Sequence, residues 1–200
     1  VGRAIDAALA QAAIDPAQVA MVSLSTTLAT NALVEGQGGK IALVFIGFEA
    51  AELGRAGLTD ALRGDPVIAL AGGHSHAGGE VAPLDLEALA QAVTELDAGI
   101  TGFAIAGSFA TRNAAHEIAA RDLIREMTGK PVTCSHELSS ALGGPKRALT
   151  AVLNARLIGM IDGLIGACEG HLVKVGIDAR LMVVRGDGAL VSAAVAREKP

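Results

Sequence analysis

The sequence predicts an α/β fold, in which parallel or mixed sheets are flanked by helices. Two short apolar runs, Ile41–Ile46 (IALVFI) and Gly102–Gly107 (GFAIAG), have the length and composition of buried strands. Other segments repeat apolar residues three and four positions apart, which is typical of helices with one buried face. Strand and helix patterns alternate along the chain. This alternation favours βαβ units and a parallel sheet.

The N-terminal third predicts a helix over residues 2–13, on which Ile5 and Leu9 share one face. A second apolar run, residues 19–24, is interpreted as a buried strand like Ile41–Ile46. Val67–Leu70 is apolar enough for a further short strand.

The rest of the chain continues the alternation. Asp85 is a good N-cap for a helix, and Gly129 and Pro131 end a second helix after the Gly102–Gly107 strand. A short strand at residues 132–134 precedes a long helix predicted over 146–167. Residues 180–192 form a predicted hairpin around an Asp-Gly turn, followed by a short helix to residue 198.

Composition excludes several classes of protein. The chain has 200 residues, a net charge of −5 and only four aromatic residues, and it shows no Lys/Arg cluster, so we expect no nucleic-acid binding. The sequence shows neither an apolar run of membrane-span length nor a signal peptide, so we expect no membrane association. Its two cysteines predict free thiols and a cytoplasmic location. Because it starts at Val1 inside a helical pattern and stops at Pro200, we expect a piece of a longer polypeptide.

A hydroxyl-rich segment, STTLATN, separates the first two predicted strands. It is longer than most connectors. In one interpretation Thr30 or Asn31 only caps a short helix before a glycine turn. In the other, its small hydroxyls donate hydrogen bonds to a bound anion or carbonyl.

Residues 25–48, STTLATNALVEGQGGKIALVFIGF, resemble a signature of the hydantoinase A / 5-oxoprolinase family, apart from Ser25, where that family usually carries glycine. Residues 103–155 and 181–200 resemble later stretches of the same family, so the resemblance covers nearly the whole chain. Members are ATP-dependent amidohydrolases that open rings, with related subunits in acetone and acetophenone carboxylases.

The resemblance implies an actin/Hsp70/sugar-kinase-like (ribonuclease H-like) ATPase fold. It divides the chain into the end of an N-terminal region (1–70), a βαβ and long-helix region (71–179) and the start of a core domain (180–200). It also implies ATP and Mg²⁺ as cofactors, a cyclic amide substrate and a hydantoinase B-type partner subunit, and it allows a homo-oligomer. Alternatives are a carboxylase subunit and a non-catalytic docking domain. Both phosphate-loop strings of that fold are missing here, so we expect this chain alone to bind and hydrolyse no ATP.

Candidate catalytic residues implied by the resemblance are Thr26, Thr27, Asn31, His116 and Glu117. Candidate substrate contacts, carried over in the same way, are Ser108, Ser135, Glu137, Arg147, Thr150 and Asn154.

The residue types allow alternatives at these positions. His116 and Glu117 lie in the first turn of a helix, where Glu117 either contacts a ligand or only complements the helix dipole. Ser135-His136-Glu137 follows the next strand, so both groups are expected at the carboxyl edge of one sheet. The absence of a G-x-S-x-G elbow argues against a Ser/His/Glu triad.

Two further features carry alternatives. Arg147, Thr150 and Asn154 are predicted to share a helix face, on which Arg147 either clamps an anion or faces solvent. His74, His76 and Glu80 could ligate a metal, but they lie in a glycine-rich loop rather than on a rigid element, so we expect no metal there.

Overall fold

The computed structural model describes residues 1–25, 27, 31, 38–186 and 188–198. They fall into two compact units, one formed by residues 1–38 with 157–200 and the other by residues 39–156. The strands are β1 (Met21–Ser25), β2 (Ile41–Ile46), β3 (Val67–Leu70), β4 (Gly102–Gly107), β5 (Val132–Cys134), β6 (Arg180–Val184) and β7 (Leu190–Ser192). The α-helices are α1 (Gly2–Ala12), α2 (Leu58–Leu62), α3 (Leu86–Thr94), α4 (Ala115–Thr128), α5 (Ser135–Leu138), α6 (Gly144–Val175) and α7 (Ala193–Glu198). Two short 3₁₀ helices span Pro16–Gln18 and Ala50–Gly54.

The unit of residues 39–156 is built on an all-parallel sheet of order β3-β2-β4-β5. Every residue of β2 and β4 is buried. Successive side chains of a strand point to opposite faces, so a fully apolar strand requires cover on both faces. One face packs against α3 and α4, through residues such as Leu89 and Ile124. The other packs against α2 and the first half of α6, through residues such as Leu58 and Val152. The α/β fold class is confirmed.

A buried arginine anchors the amino-terminal end of this sheet. The Arg156 guanidinium donates to the carbonyl oxygens of Gly39, Ala61 and Leu62. It also pairs with the Asp65 carboxylate at 2.8 Å, which in turn accepts the N–H of Ile41 at the start of β2. Arg156 is 5% exposed. Oxygen atoms surround its guanidinium on several sides, as a buried charge requires.

The other unit has a three-stranded sheet of order β1-β6-β7, in which β1 and β6 run parallel and β6 and β7 form the predicted hairpin. The prediction that the first strand is fully buried is wrong. In β1, Val22 and Leu24 are half-buried against the core of this unit, whereas Met21, Ser23 and Ser25 are exposed. Apolar residues alternate with serine there, and this alternation is the pattern of a strand with one covered face.

Helix α6 is longer than predicted and continues to Val175. After Pro145 no proline intervenes, and the glycines within the helix keep a negative φ, whereas Gly176 adopts a left-handed φ of 76°. The N–H of Gly176 donates to the Val173 carbonyl oxygen, and the N–H of Ile177 donates to the Leu172 carbonyl oxygen. These two hydrogen bonds end the helix. By length and hydropathy alone α6 could cross a membrane, but half of its apolar window is buried inside the protein. That burial is expected of a core helix.

Candidate functional site

The carboxyl ends of β2 and β4 form the point at which the strand order of the four-stranded sheet reverses. From β2 the chain proceeds to β3 on one side, and from β4 it proceeds to β5 on the other. In open α/β sheets ligands bind in the crevice at such a switch point. The residues around this edge are therefore the first place to look for a site.

The protein's own 71–80 loop fills that crevice. A Cβ on Gly47, just after β2, would lie 2.5 Å from the Gly72 carbonyl oxygen, so only glycine allows this approach. The N–H of His74 donates to the backbone oxygen of Ser108 at 3.0 Å. Ser108, a predicted substrate contact, thus holds the loop through its backbone.

His116 fastens the same loop to α4. Its Nδ1 accepts the N–H of Gly73 at 2.9 Å, so the proton of the neutral ring lies on Nε2, which donates to Glu80 at 2.9 Å. The His74 ring stacks obliquely on it, with 4.4 Å between centroids. Burial, and then the proximity of His116, lowers the pKa of His74. Both nitrogens of His116 are thus engaged by protein groups, while His76 is exposed.

Glu117, the next residue, is fully buried and accepts four hydrogen bonds. Its Oε1 accepts the N–H of Gly107 and the hydroxyl of Ser135, each at 2.6 Å. Its Oε2 accepts the N–H of His136 at 3.0 Å and Nδ1–H of the same ring at 2.6 Å. As a carboxylate, Glu117 satisfies all four donors and places a negative charge in the protein interior.

Arg147 balances this charge from α6. The side chain is only 1% exposed. Its Nε donates to the Ser135 hydroxyl at 3.3 Å. Its two terminal nitrogens donate to the backbone oxygens of Ala141 and Gly107, each at 2.8 Å. Burial lowers the pKa of Arg147, and the Glu117 charge opposes that shift. Glu117, Ser135, His136 and Arg147 together form what we call the Glu117 cluster, which ties the ends of β4 and β5 to α4 and α6.

Three other predicted residues lie outside this cluster. Glu137 is exposed and pairs with Arg121 at 3.2 Å. The Thr150 hydroxyl donates to the Lys146 oxygen on the outside of α6, and the Asn154 amide donates to Thr133 Oγ1. Thr150, three residues after Arg147, lies at the edge of their common helix face and is exposed, whereas Arg147 is buried. The Thr150 hydroxyl therefore does not join the hydrogen bonds of Arg147.

Of the hydroxyl-rich segment, Thr26 lies outside the described residues. Thr27 and Asn31 are exposed. The Thr27 N–H and hydroxyl both bond to Ser25 Oγ, at 3.2 and 2.7 Å. Because Asn31 is exposed, a ligand in solution can reach it.

The chemistry of the Glu117 cluster excludes two simple assignments. Ser135 bonds to the carboxylate instead of the imidazole, so histidine does not activate it as in a Ser/His/acid triad. The Cys134 thiol, Glu117 and His136 lie within 4.8 Å of one another, as metal ligands do. However, burial raises the pKa of Cys134, and its thiol donates to the Glu117 backbone oxygen, so it stays protonated. With both Glu117 oxygens already engaged, this donor set does not fit a metal ion.

His136 is the functional candidate that the sequence analysis did not select. Glu117 fixes its Nδ1, and among the described residues no group bonds to its Nε2. Its ring, 19% exposed, lines a cavity of about 320 Å³. The other lining residues are Ala110, Thr111, Arg112, Ala114 and Ser140. A histidine two residues after the end of β5 was the available signal, but its partner Glu117 is 19 residues away in sequence.

Known proteins resemble this chain in sequence and in fold. The chain is 29% identical over 199 residues to the acetophenone carboxylase gamma subunit of Aromatoleum aromaticum. The match covers 86% of this chain and 27% of that subunit. The ATP-dependent caprolactamase of Pseudomonas jessenii superposes with a TM-score of 0.78 at 24% identity, over 94% of this chain and 31% of that structure. An acetone carboxylase structure without nucleotide superposes with a TM-score of 0.71 at 19% identity, over 95% of this chain and 32% of its own.

The two solved structures share the α/β fold described above. The chain spans about a third or less of each of the three relatives. The model of one family, described as the hydantoinase/oxoprolinase N-terminal region, matches residues 1–128. That match covers more than half of the chain and includes β1 to β4 with α4. The chain therefore belongs to the hydantoinase/oxoprolinase family.

Proposed function

We propose that this chain is part of a subunit that uses ATP to open a cyclic amide or imide ring of the hydantoin, N-methylhydantoin or 5-oxoproline type. In this scheme ATP phosphorylates the amide oxygen, which makes the ring carbon electrophilic towards water. The observation that carries the proposal is the family match over residues 1–128. The shared fold with an ATP-dependent caprolactamase supports it, because a lactam is a cyclic amide.

The carboxyl edge of the four-stranded sheet does not itself fit ATP. The crevice at the strand switch point is filled by the 71–80 loop, and Arg147, the buried cation at this edge, already donates to three protein oxygens. Phosphate sites need free backbone N–H groups and cations. We therefore assign ATP and Mg²⁺ to other parts of the longer subunit, and no step of phosphate transfer to the described residues.

A direct test uses the complete subunit, produced with a hydantoinase B-type partner. We expect ATP hydrolysis to rise when a cyclic amide is added, with one ring opened for each ATP consumed. Hydantoin, 5-oxoproline and caprolactam would be compared at equal concentration. ATP hydrolysis that responds to none of these rings would contradict the proposal. A cytoplasmic location belongs to the same proposal, and cell fractionation tests it.

The hydroxyl-rich segment offers a residue-level test in the same subunit. We expect Thr27→Ala and Asn31→Ala to reduce amide-dependent turnover about tenfold to a thousandfold, if these side chains contact the transition state. Because both are exposed, unfolding free energy should change by no more than about 1 kcal/mol. Full activity in both variants would leave the segment as a helix-capping connector. Ser23→Ala, an exposed hydroxyl of β1, is the matched control.

A carboxylase subunit is the second candidate. The specific observation in its favour is the 29% identity to an acetophenone carboxylase subunit, above the 24% found for the caprolactamase. In that case ATP hydrolysis would require a ketone and bicarbonate together and would ignore cyclic amides. The same assay therefore separates the two candidates.

A further inference from the structure

We propose that His116 makes the 71–80 loop a pH-sensitive latch, which is fastened at neutral pH and released from the sheet edge in acid. The loop fills the crevice at the strand switch point, where Gly72 lies against Gly47 after β2. Open α/β sheets bind their ligands in such a crevice, so release of the loop would uncover it. The proposal concerns a conformational change of this chain and does not depend on the proposed ring-opening activity.

The latch requires the neutral form of His116. The ring is buried; its Nδ1 accepts the Gly73 N–H, and its Nε2 donates to Glu80, both at 2.9 Å. A protonated ring carries a hydrogen on each nitrogen and has no acceptor, so Nδ1–H would face the Gly73 N–H, donor against donor. A buried N–H that loses its acceptor is costly. Protonation therefore favours a state in which the loop has moved away and water solvates both groups.

The charges around the ring decide the direction of this effect. His74 stacks on His116 with 4.4 Å between centroids, and burial, followed by the proximity of His116, lowers the pKa of His74. A positive charge on His116 is unfavourable beside this second histidine. Glu80 attracts a protonated ring, but its side chain is 54% exposed, so water screens that attraction.

The other charged groups near the ring do not reverse this balance. The Glu117 carboxylate is turned away from the loop, towards Ser135 and His136. The elements that pack against α4 are α3, β4 and β5, and their single charged residue, Glu87, is exposed. Arg112, which precedes α4, is also exposed and would repel a protonated ring.

His116 makes two of the four hydrogen bonds that fasten the loop to the rest of the described chain. The other two join the His74 N–H to the Ser108 oxygen at 3.0 Å and the Asn113 amide to the Gly78 oxygen at 3.2 Å. The backbone hydrogen bonds within the loop do not involve the His116 ring. Loss of the Nδ1 acceptor therefore weakens the attachment of the loop and leaves its internal structure in place, as a latch requires.

The test is amide hydrogen exchange of the 200-residue chain, measured by NMR between pH 7.5 and 5 and corrected for intrinsic exchange rates. We expect the protection of the Gly73 amide to fall about tenfold or more relative to amides of β4, since histidine titrates near pH 6.5. The matched variant is His116→Asn, whose amide oxygen replaces Nδ1 as the acceptor and does not titrate. It should keep most of this protection at pH 5. His76→Gln, at an exposed position of the same loop, should behave as the wild type.

A second readout follows the ring itself. With ¹⁵N-labelled histidine, His116 should show a protonated Nε2 and an unprotonated Nδ1 at pH 7.5, and His116→Asn identifies the signal. Nδ1 should become protonated at the same midpoint at which Gly73 loses protection. The opposite tautomer at pH 7.5 would overturn the proposal. So would unchanged protection of Gly73 relative to β4 in the wild type, or an equal fall in His116→Asn.

Discussion

The two sheets of this chain differ in how many of their faces are covered. In the unit of residues 39–156, β2 and β4 are buried at every position because helices cover both faces of the sheet. In the other unit, β1 and β7 alternate between exposed and half-buried residues. The sequences differ accordingly, IALVFI in β2 against MVSLS in β1. A continuous apolar run thus indicates a sheet covered on both faces, and alternation indicates one covered face.

The two units also differ in whether their charged side chains are buried or exposed. Residues 39–156 bury Glu117, Arg147 and Arg156 and surround them with hydrogen bonds. In the other unit, Arg197 pairs with Asp162 and Glu169 at the surface, where every partner is at least about one-third exposed. Buried charges are costly when a partner is removed, whereas exposed pairs contribute little. The difference predicts where substitutions will destabilise the protein.

The largest expected effect is that of Glu117→Ala. The change leaves the Arg147 charge uncompensated and removes the acceptor for Gly107, Ser135 and His136. We expect a loss of about 3–5 kcal/mol in the free energy of unfolding of residues 39–156, measured by amide hydrogen exchange of β2 and β4. Glu169→Ala, which breaks the exposed pair with Arg197, should cost no more than about 1 kcal/mol. Similar losses in the two variants would contradict the contrast in charge burial.

A smaller effect is expected from matched leucine substitutions in the two sheets. Leu43→Ala in β2 removes a fully buried side chain and should cost about 2–5 kcal/mol, because it leaves a cavity between sheet and helices. Leu24→Ala in β1 removes a half-buried one and should cost about half as much or less. For Leu43→Ala, hydrogen exchange of β2 itself gives the cost. For Leu24→Ala, hydrogen exchange of β6, which pairs with β1, gives it. Equal costs would show that β1 has more cover than its exposure indicates.

The smallest effect concerns pH. Burial and His116 lower the pKa of His74, so below about pH 6.5 the unfolded chain binds more protons at this residue than the folded one. Stability of residues 39–156 should therefore fall as pH drops through that range, although Glu80 partly opposes the shift. His74→Gln should weaken the dependence, and His76→Gln, at an exposed position, should not. Melting curves between pH 7.5 and 5 measure this pH dependence of stability. Identical pH profiles for the wild type, His74→Gln and His76→Gln would exclude His74 as the cause.

Much of the fold could be predicted from local patterns. The strands β2 and β4, the helices α3 and α4 and the β6–β7 hairpin follow from periodicity, caps and turn residues, which act within a few positions of one another. The family follows from a continuous motif. Two predictions at the same level were wrong. The alternation in β1 was interpreted as a continuous apolar run, and α6 was predicted to end at residue 167 although it continues to Val175.

The arrangement of the site needed the tertiary structure. Sequence placed His116, Glu117, Ser135 and His136 after neighbouring strands, but it could not say that His116 binds the 71–80 loop while Glu117 turns inward to Ser135 and His136. Nor could it distinguish Arg147, which is buried, from Thr150, which faces solvent. A buried charge takes whichever partners the packed sheet edge brings within hydrogen-bond distance. Those partners are distant in sequence, so composition and spacing alone determine the elements, and packing decides which side chains meet.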